Sequence, residues 1–272
     1  MIAPGSPLRR PFRPLRRGAE TAMLRYILSR RFRLVVVAGL KRSGNHVFIN
    51  WLLAQSRGPC FFVNDIPPQM DPVSLPGVAR LRLPVSEPTL VISYEDQAWP
   101  ALREGGLQDL LERAGGNITE RKLCFVLRDP RNLMASRFRK WPEERDDATR
   151  TEAAIALWHN HVAALGASDG DFDIVPVWYP SFVTSTAYRA SLSDSLGIAH
   201  GDRGLDEIPH YGHGSSFGGT SARPGEGVFD RWRSYAEDPG FLRLFADGTL
   251  DRLAEEVADQ ARPMTVDGTR DP

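Results

Sequence analysis

Three stretches of the chain carry residues whose types and spacing suit chemistry, two of them for holding an anion and one for taking a proton. In "GLKRSGNH", residues 39–46, Gly39 and Gly44 bracket Lys41, Arg42 and Ser43. The stretch follows a β-branched run and precedes apolar residues at helical spacing. Its backbone N–H groups and the positive end of the next helix would therefore face one anion. A nucleoside triphosphatase loop has the same glycine spacing but continues Lys-Ser or Lys-Thr. Here Asn45 and His46 follow, supplying neither the ammonium nor the hydroxyl that such an enzyme uses with magnesium.

The second stretch, "VISYED", ends on two carboxylates, Glu95 and Asp96. The third, "VLRDPRNLMAS", sets Arg128 at a strand end and Ser136 on the helix after it. An arginine fork grips a phosphate through two parallel bonds, and a helix-borne hydroxyl adds a donor. The plain alternative pairs Arg128 with Asp129 or Glu143, and makes one of the acids a turn cap or a partner of Arg42.

The elements that position these groups read as alternating strands and helices. Residues 33–38, 60–65, 89–96, 122–129 and 172–179 are strand-like; 45–55, 101–114, 130–140, 148–167 and 181–196 are helix-like. A Pro-rich excursion over 66–88 separates the second and third strands, with three strand-compatible residues at most. Such alternation predicts an α/β fold, a three-layer αβα sandwich around a mostly parallel sheet, similar to that of P-loop nucleoside triphosphatases. Ligands in such sheets bind outside the carboxyl ends of the strands, where all three stretches fall.

Composition narrows the classes. Lys+Arg 34 against Asp+Glu 34 leaves no net charge, which argues against a nucleic-acid binder. Hydrophobic content of 42% and charged content of 25% are those of a globular protein. Cys60 and Cys124 make neither a metal cluster nor a disulfide framework and read as core thiols. His159 and His161 lie two apart on one helix, point different ways, and read as structural, without metal. No apolar segment approaches the ~20 residues that span a bilayer, so the expected location is cytoplasmic. Residues 1–30 are Arg- and Pro-rich and read as a flexible basic arm, able to touch a membrane surface, with Met23 as a second plausible start. A single domain is expected over 31–260 and a flexible tail over 261–272.

Together the motifs resemble the sulfotransferases that use 3′-phosphoadenosine-5′-phosphosulfate. Their 5′-phosphosulfate loop reads roughly [Lys/Arg]-Ser-Gly-Thr-Thr, which Arg42-Ser43-Gly44-Asn45-His46 matches apart from Asn and His for the two threonines. Lys41 lies beside it. Arg128 and Ser136 match the family's 3′-phosphate pair, and "SSFGGTSARPGEG" resembles its adenine and 3′-phosphate segment. In that segment Ser216 and Phe217 would pack on adenine, and Arg223 with Gly225 would contact the 3′-phosphate. "VFDRWRSY" resembles the tryptophan-bearing helix that closes this region.

The resemblance implies transfer of a sulfuryl group to a hydroxyl of a carbohydrate or small metabolite, with 3′,5′-adenosine bisphosphate as product and no metal required. Family members use a histidine or a glutamate near the end of a central strand as base. That implies Glu95, with Asp96 in reserve, and His46, beside the transferring group, as a rival acid or base. Arg42 would contact the sulfuryl group. Two other readings stand beside this one: a degenerate P-loop kinase or nucleotide-binding protein, and a non-catalytic protein of the same fold.

Overall fold

The most apolar runs of the sequence become the middle of one sheet. A computed structural model describes residues 13–80, 86–167, 170–205 and 229–261, without the side chains of 13–17 and 19. The chain runs through α1 (Arg13–Leu28), β1 (Phe32–Gly39), α2 (Asn45–Gln55), β2 (Cys60–Val63), β3 (Val78–Arg80) and β4 (Thr89–Glu95). It continues through α3 (Trp99–Arg103), α4 (Gly106–Ala114), β5 (Ile118–Leu127), α5 (Pro130–Lys140), α6 (Pro142–Asp146) and α7 (Ala148–Leu165). β6 (Asp173–Trp178), α8 (Tyr179–Thr184), α9 (Thr186–Ser195), α10 (Pro239–Arg243) and α11 (Thr249–Gln260) complete it.

The six strands are ordered β3-β2-β4-β1-β5-β6 in a mostly parallel sheet flanked by helices, the α/β architecture the alternation predicts. β2 runs parallel to β4 and β5 to β6, while the three-residue β3 lies antiparallel on β2. A central parallel strand is covered on both faces, so it needs consecutive apolar residues in place of alternation. β1 is buried from Leu34 to Gly39, all of β4 is buried, and β5 is buried from Leu123 to Leu127. β1 lies between β4 and β5, which makes the ends of these three strands neighbours.

The chain divides into two compact units, and the division crosses β1, β4 and β5. The first unit comprises residues up to Val36, Ser56–Tyr94 and Pro100–Arg121. Within it, the flexible arm expected over residues 1–30 gives way to helix α1 from Arg13, because Met23, Leu24 and Ile27 share a buried face at helical spacing. The helix expected over 101–114 is broken between α3 and α4. Gly105 and Gly106 allow the chain at Pro68–Met70 to cross there: a Cβ on either would lie 2.0 Å from a carbonyl oxygen of that segment.

The second unit comprises Val37–Gln55, Glu95–Trp99 and the chain from Lys122 onward. Phe182 of α8 sets its ring edge against Phe48 and Trp51 of α2, with centroids at 5.6 and 5.3 Å. The helix expected over 181–196 is interrupted at Ser185, whose hydroxyl accepts from the Tyr188 N–H and caps α9. The Tyr188 hydroxyl reaches back to β6, accepting from Trp178 N at 2.8 Å and donating to the Pro176 carbonyl at 3.2 Å. The far end of α2 holds the segment after α9 through Trp51 to the Gly201 carbonyl, Asn50 to Gly204 and Gln55 to Arg203. Among the described residues no helix is long and apolar enough to cross a membrane.

Phe182 is fully buried and braces the helix that opens at the loop after β1. Phe182→Ala should lower unfolding free energy by about 3–5 kcal/mol, from lost contact area and the cavity left behind. Urea unfolding followed by far-ultraviolet circular dichroism measures it.

Candidate functional site

The loop after β1 is shaped by contacts that tolerate little else at its two glycines. A Cβ on Gly39 would lie 2.3 Å from Asn45 Oδ1 and 2.9 Å from the Val126 carbonyl oxygen. Gly44 has φ 106°, and a Cβ there would lie 2.2 Å from the Tyr179 ring. The Ser43 N–H closes the turn on the Leu40 carbonyl at 3.0 Å. Arg42, between them, holds φ 78°, a left-handed conformation that a residue with a Cβ adopts only when its surroundings hold it there. α2 then begins at Asn45, so its first amides and its positive dipole end face the loop.

Asn45 and Glu95 join the loop to the end of β4. Asn45 Nδ2 donates to the Leu40 carbonyl at 3.2 Å and to Glu95 Oε1 at 3.0 Å. His46 Nδ1 lies 3.9 Å from the same Glu95 oxygen, near enough for charge to be felt and too far for a hydrogen bond. Asp96 follows at φ 54°, and its Oδ1 accepts from the Lys41 N–H at 2.9 Å and from Arg137 Nη1 at 2.8 Å.

Three guanidiniums converge beside this loop. Arg128, at the end of β5, is 2% exposed and donates through Nη1 to the Arg42 carbonyl at 3.2 Å. Its own carbonyl accepts from Trp158 Nε1 at 3.0 Å, and its guanidinium lies 5.5 Å from the Tyr179 ring centre. Arg42 Nε and Arg231 Nη1 approach the buried Ser136 hydroxyl at 3.4 and 3.5 Å.

Burial, and then the charge of Arg231, push Arg128 down to about 9. The same two causes lower Arg42, although Glu95 offsets part of the effect, and burial lowers Arg231. Like charges drawn out of water disfavour one another, and a polyanion among them reverses the sign of the interaction. The Ser43 hydroxyl is also buried and lacks a hydrogen-bond partner, an acceptor or donor left over at the floor of the loop.

Of the residues singled out in the sequence, Lys41, Arg42, Ser43, Gly44, Asn45, His46, Glu95, Asp96, Arg128 and Ser136 come together here. Ser216, Phe217, Arg223 and Gly225 lie outside the described residues. Asp129, which the plain reading paired with Arg128, raises the Arg128 pKa by its charge and has a second role. It caps α5, accepting from Asn132 N and Nδ2, both at 2.8 Å.

Sequence reasoning missed Arg231 and Tyr179. Arg231 opens a short 3-10 turn, Arg231–Tyr235, in place of the expected tryptophan-bearing helix. That turn docks on α5 because Asn132 Oδ1 accepts from Trp232 N at 3.2 Å and Asn132 Nδ2 donates to the Phe229 carbonyl at 3.3 Å. The available signal was the second arginine-rich segment, "DRWRSY", read only for its tryptophan. Among the described residues no group of three or more His, Cys, Asp or Glu side chains could hold a metal ion.

Arg128→Met keeps an apolar stem and removes one of three mutually repelling charges. In phosphate-free buffer it should be more stable than the parent by about 1–4 kcal/mol, as when buried ion clusters are replaced by apolar residues. Added inorganic phosphate should raise the parent's unfolding temperature and leave that of the variant nearly unchanged; thermal unfolding with and without phosphate reads both.

No family model matches the chain, and no curated protein matches it in sequence. Among solved structures, one that matches is mouse sulfotransferase SULT7A1 complexed with PAP. Its TM-score is 0.47 and its identity 11%, over 88% of this chain and 92% of that one. A likeness so distant leaves the function of this chain to its own residues.

Proposed function

We propose that this chain is a sulfotransferase, moving a sulfuryl group from 3′-phosphoadenosine-5′-phosphosulfate to a hydroxyl of a carbohydrate or small metabolite. The observation that carries this reading is the gathering of Arg42 and Arg231 at the Ser136 hydroxyl, with Arg128 bonded to the Arg42 carbonyl, beside the Gly39–Gly44 loop. The donor nucleotide is a polyanion with charge at both its 5′ and 3′ ends. A continuous cationic floor fits it, as does the leftover Ser43 hydroxyl. When bound, the nucleotide supplies the activated sulfuryl group.

The residues of the chain divide the remaining work. Arg42, Ser43 and the loop and helix amides hold the 5′-phosphosulfate, and Arg128, Ser136 and Arg231 hold the 3′-phosphate. Arg42 approaches Ser136 at 3.4 Å, so one guanidinium serves both ends of the ligand. Glu95, 7% exposed and held by Asn45, takes the proton of the acceptor hydroxyl at Oε1 or Oε2. Charge developing on the leaving side meets Arg42, a cation already desolvated and fixed before the reaction begins. Positioning and electrostatics thus supply the rate, as in phosphoryl transfer.

The P-loop kinase reading is weaker. The residue after Gly44 is Asn45, and its amide is committed to the Leu40 carbonyl and Glu95, so it is not offered to a magnesium-bound phosphate.

Titration calorimetry separates the readings. 3′,5′-Adenosine bisphosphate should bind without magnesium, and more tightly than ATP with magnesium; the reverse order would overturn the proposal. Glu95→Gln should keep bisphosphate binding within a fewfold and lower transfer of labelled sulfate by at least about 100-fold, the usual scale for losing a general base.

A further inference from the structure

Asp96, named in the sequence as a reserve base, has both its charge and its geometry committed elsewhere. Its Oδ1 accepts from the Lys41 N–H at 2.9 Å and from Arg137 Nη1 at 2.8 Å. The same Arg137 Nη1 lies 3.4 Å from the Lys41 carbonyl oxygen, so both polar groups of Lys41's backbone are gripped from one side. Arg137 in turn forms a fork with Glu144: Nε to Oε2 and Nη2 to Oε1, each at 2.9 Å. Trp141 covers the guanidinium face at 5.3 Å. Glu144 is itself fixed, because its carbonyl accepts from Thr151 Oγ1 at 2.7 Å.

Two elements, the turn after β4 and α5, therefore meet at one residue of the loop, and α6 and the start of α7 back Arg137 through Glu144. That residue, Lys41, precedes Arg42, whose left-handed backbone needs external support. Arg137 differs from the arginines at Ser136. Burial works against its charge, but Asp96 and Glu144 more than offset that and raise its pKa. It is a doubly ion-paired strut beside a cluster of guanidiniums whose charge burial disfavours.

We propose that Asp96, Arg137 and Glu144 are positioning residues that preset the anion loop through Lys41, and that Asp96 takes no part in moving the acceptor proton. The inference rests on the reading of residues 39–46 as the anion site. It adds a reason why Glu95, and not its neighbour, is the group left for the proton. A lysine at 137 would keep the charge but lose the fork that reaches Glu144 and Asp96 together.

The test uses the full chain, with 3′,5′-adenosine bisphosphate as the probe. Arg137→Met and Asp96→Asn should each weaken binding by about tenfold or more. The double variant should be no weaker than the worse single, since both remove one support. Arg137→Lys should recover only part of the loss. Hydrogen exchange should quicken at the amides of residues 40–44 in each variant while the amides of β6 keep the parent's protection.

Parent-like binding in both single variants would overturn the proposal. So would additive losses with exchange quickened equally in β6, which would mark the trio as general stabilisers. If the parent itself fails to bind the bisphosphate, the proposed function falls. The exchange pattern then decides alone: faster exchange confined to 40–44 upholds the strut, and its absence overturns it.

Discussion

Mutual repulsion among Arg42, Arg128 and Arg231 is the constraint around which the rest of the second unit is arranged. Two of these cations meet at the buried Ser136 hydroxyl and the third bonds the backbone beside it, and all three would spread into water unless held. The Arg128 guanidinium bonds the Arg42 carbonyl, and Trp158 holds the Arg128 carbonyl. Arg231 is carried by a turn that Asn132 pins to α5. The sheet contributes by making the ends of β4, β1 and β5 neighbours, so residues distant in sequence arrive at one place without a long loop.

The second constraint is conformational. Arg42 and Asp96 both sit at positive φ, at about 1–3 kcal/mol each for residues with a Cβ. The two segments are tied by the bond from Lys41 N, next to Arg42, to Asp96 Oδ1, and the Asp96 N–H closes on the Gly39 carbonyl at 3.2 Å. Each therefore supports the other's neighbourhood. Strain placed in this way fixes directions: the arginine side chain leaves the loop toward Ser136, while Asn45, Glu95 and His46 gather on the adjoining side.

Much of this could be read from the sequence, and the reasons divide by range. Apolar runs such as Leu34–Ala38 and Leu123–Leu127 need only a buried parallel environment, so strand positions followed from local pattern. The Gly39–Gly44 spacing and the Asn45 start of α2 were equally local. What escaped was set by contacts between distant segments. The break at Gly105 depends on the backbone of Pro68 passing close by. The commitment of Asp96 depends on Arg137, 41 residues later. Arg231 joins the site through Asn132, near the start of α5, whose one side-chain amide bonds that turn with both its oxygen and its nitrogen. Burial of α1 was hidden by the arginines around Met23, Leu24 and Ile27, which mask a short apolar face in any average over composition.

The two outer strands have a bearing on how copies of this chain could meet. β3 spans only Val78–Arg80 and ends on a charge. β6 carries Pro176 in mid-strand, and the groups a neighbouring strand would seek, the Pro176 carbonyl and the Trp178 N–H, are already taken by the Tyr188 phenol. Among the described residues, β3 is too short and β6 too occupied to offer a run of open backbone, so these two strands are poor templates for sheet-to-sheet extension into fibres or strand-swapped pairs.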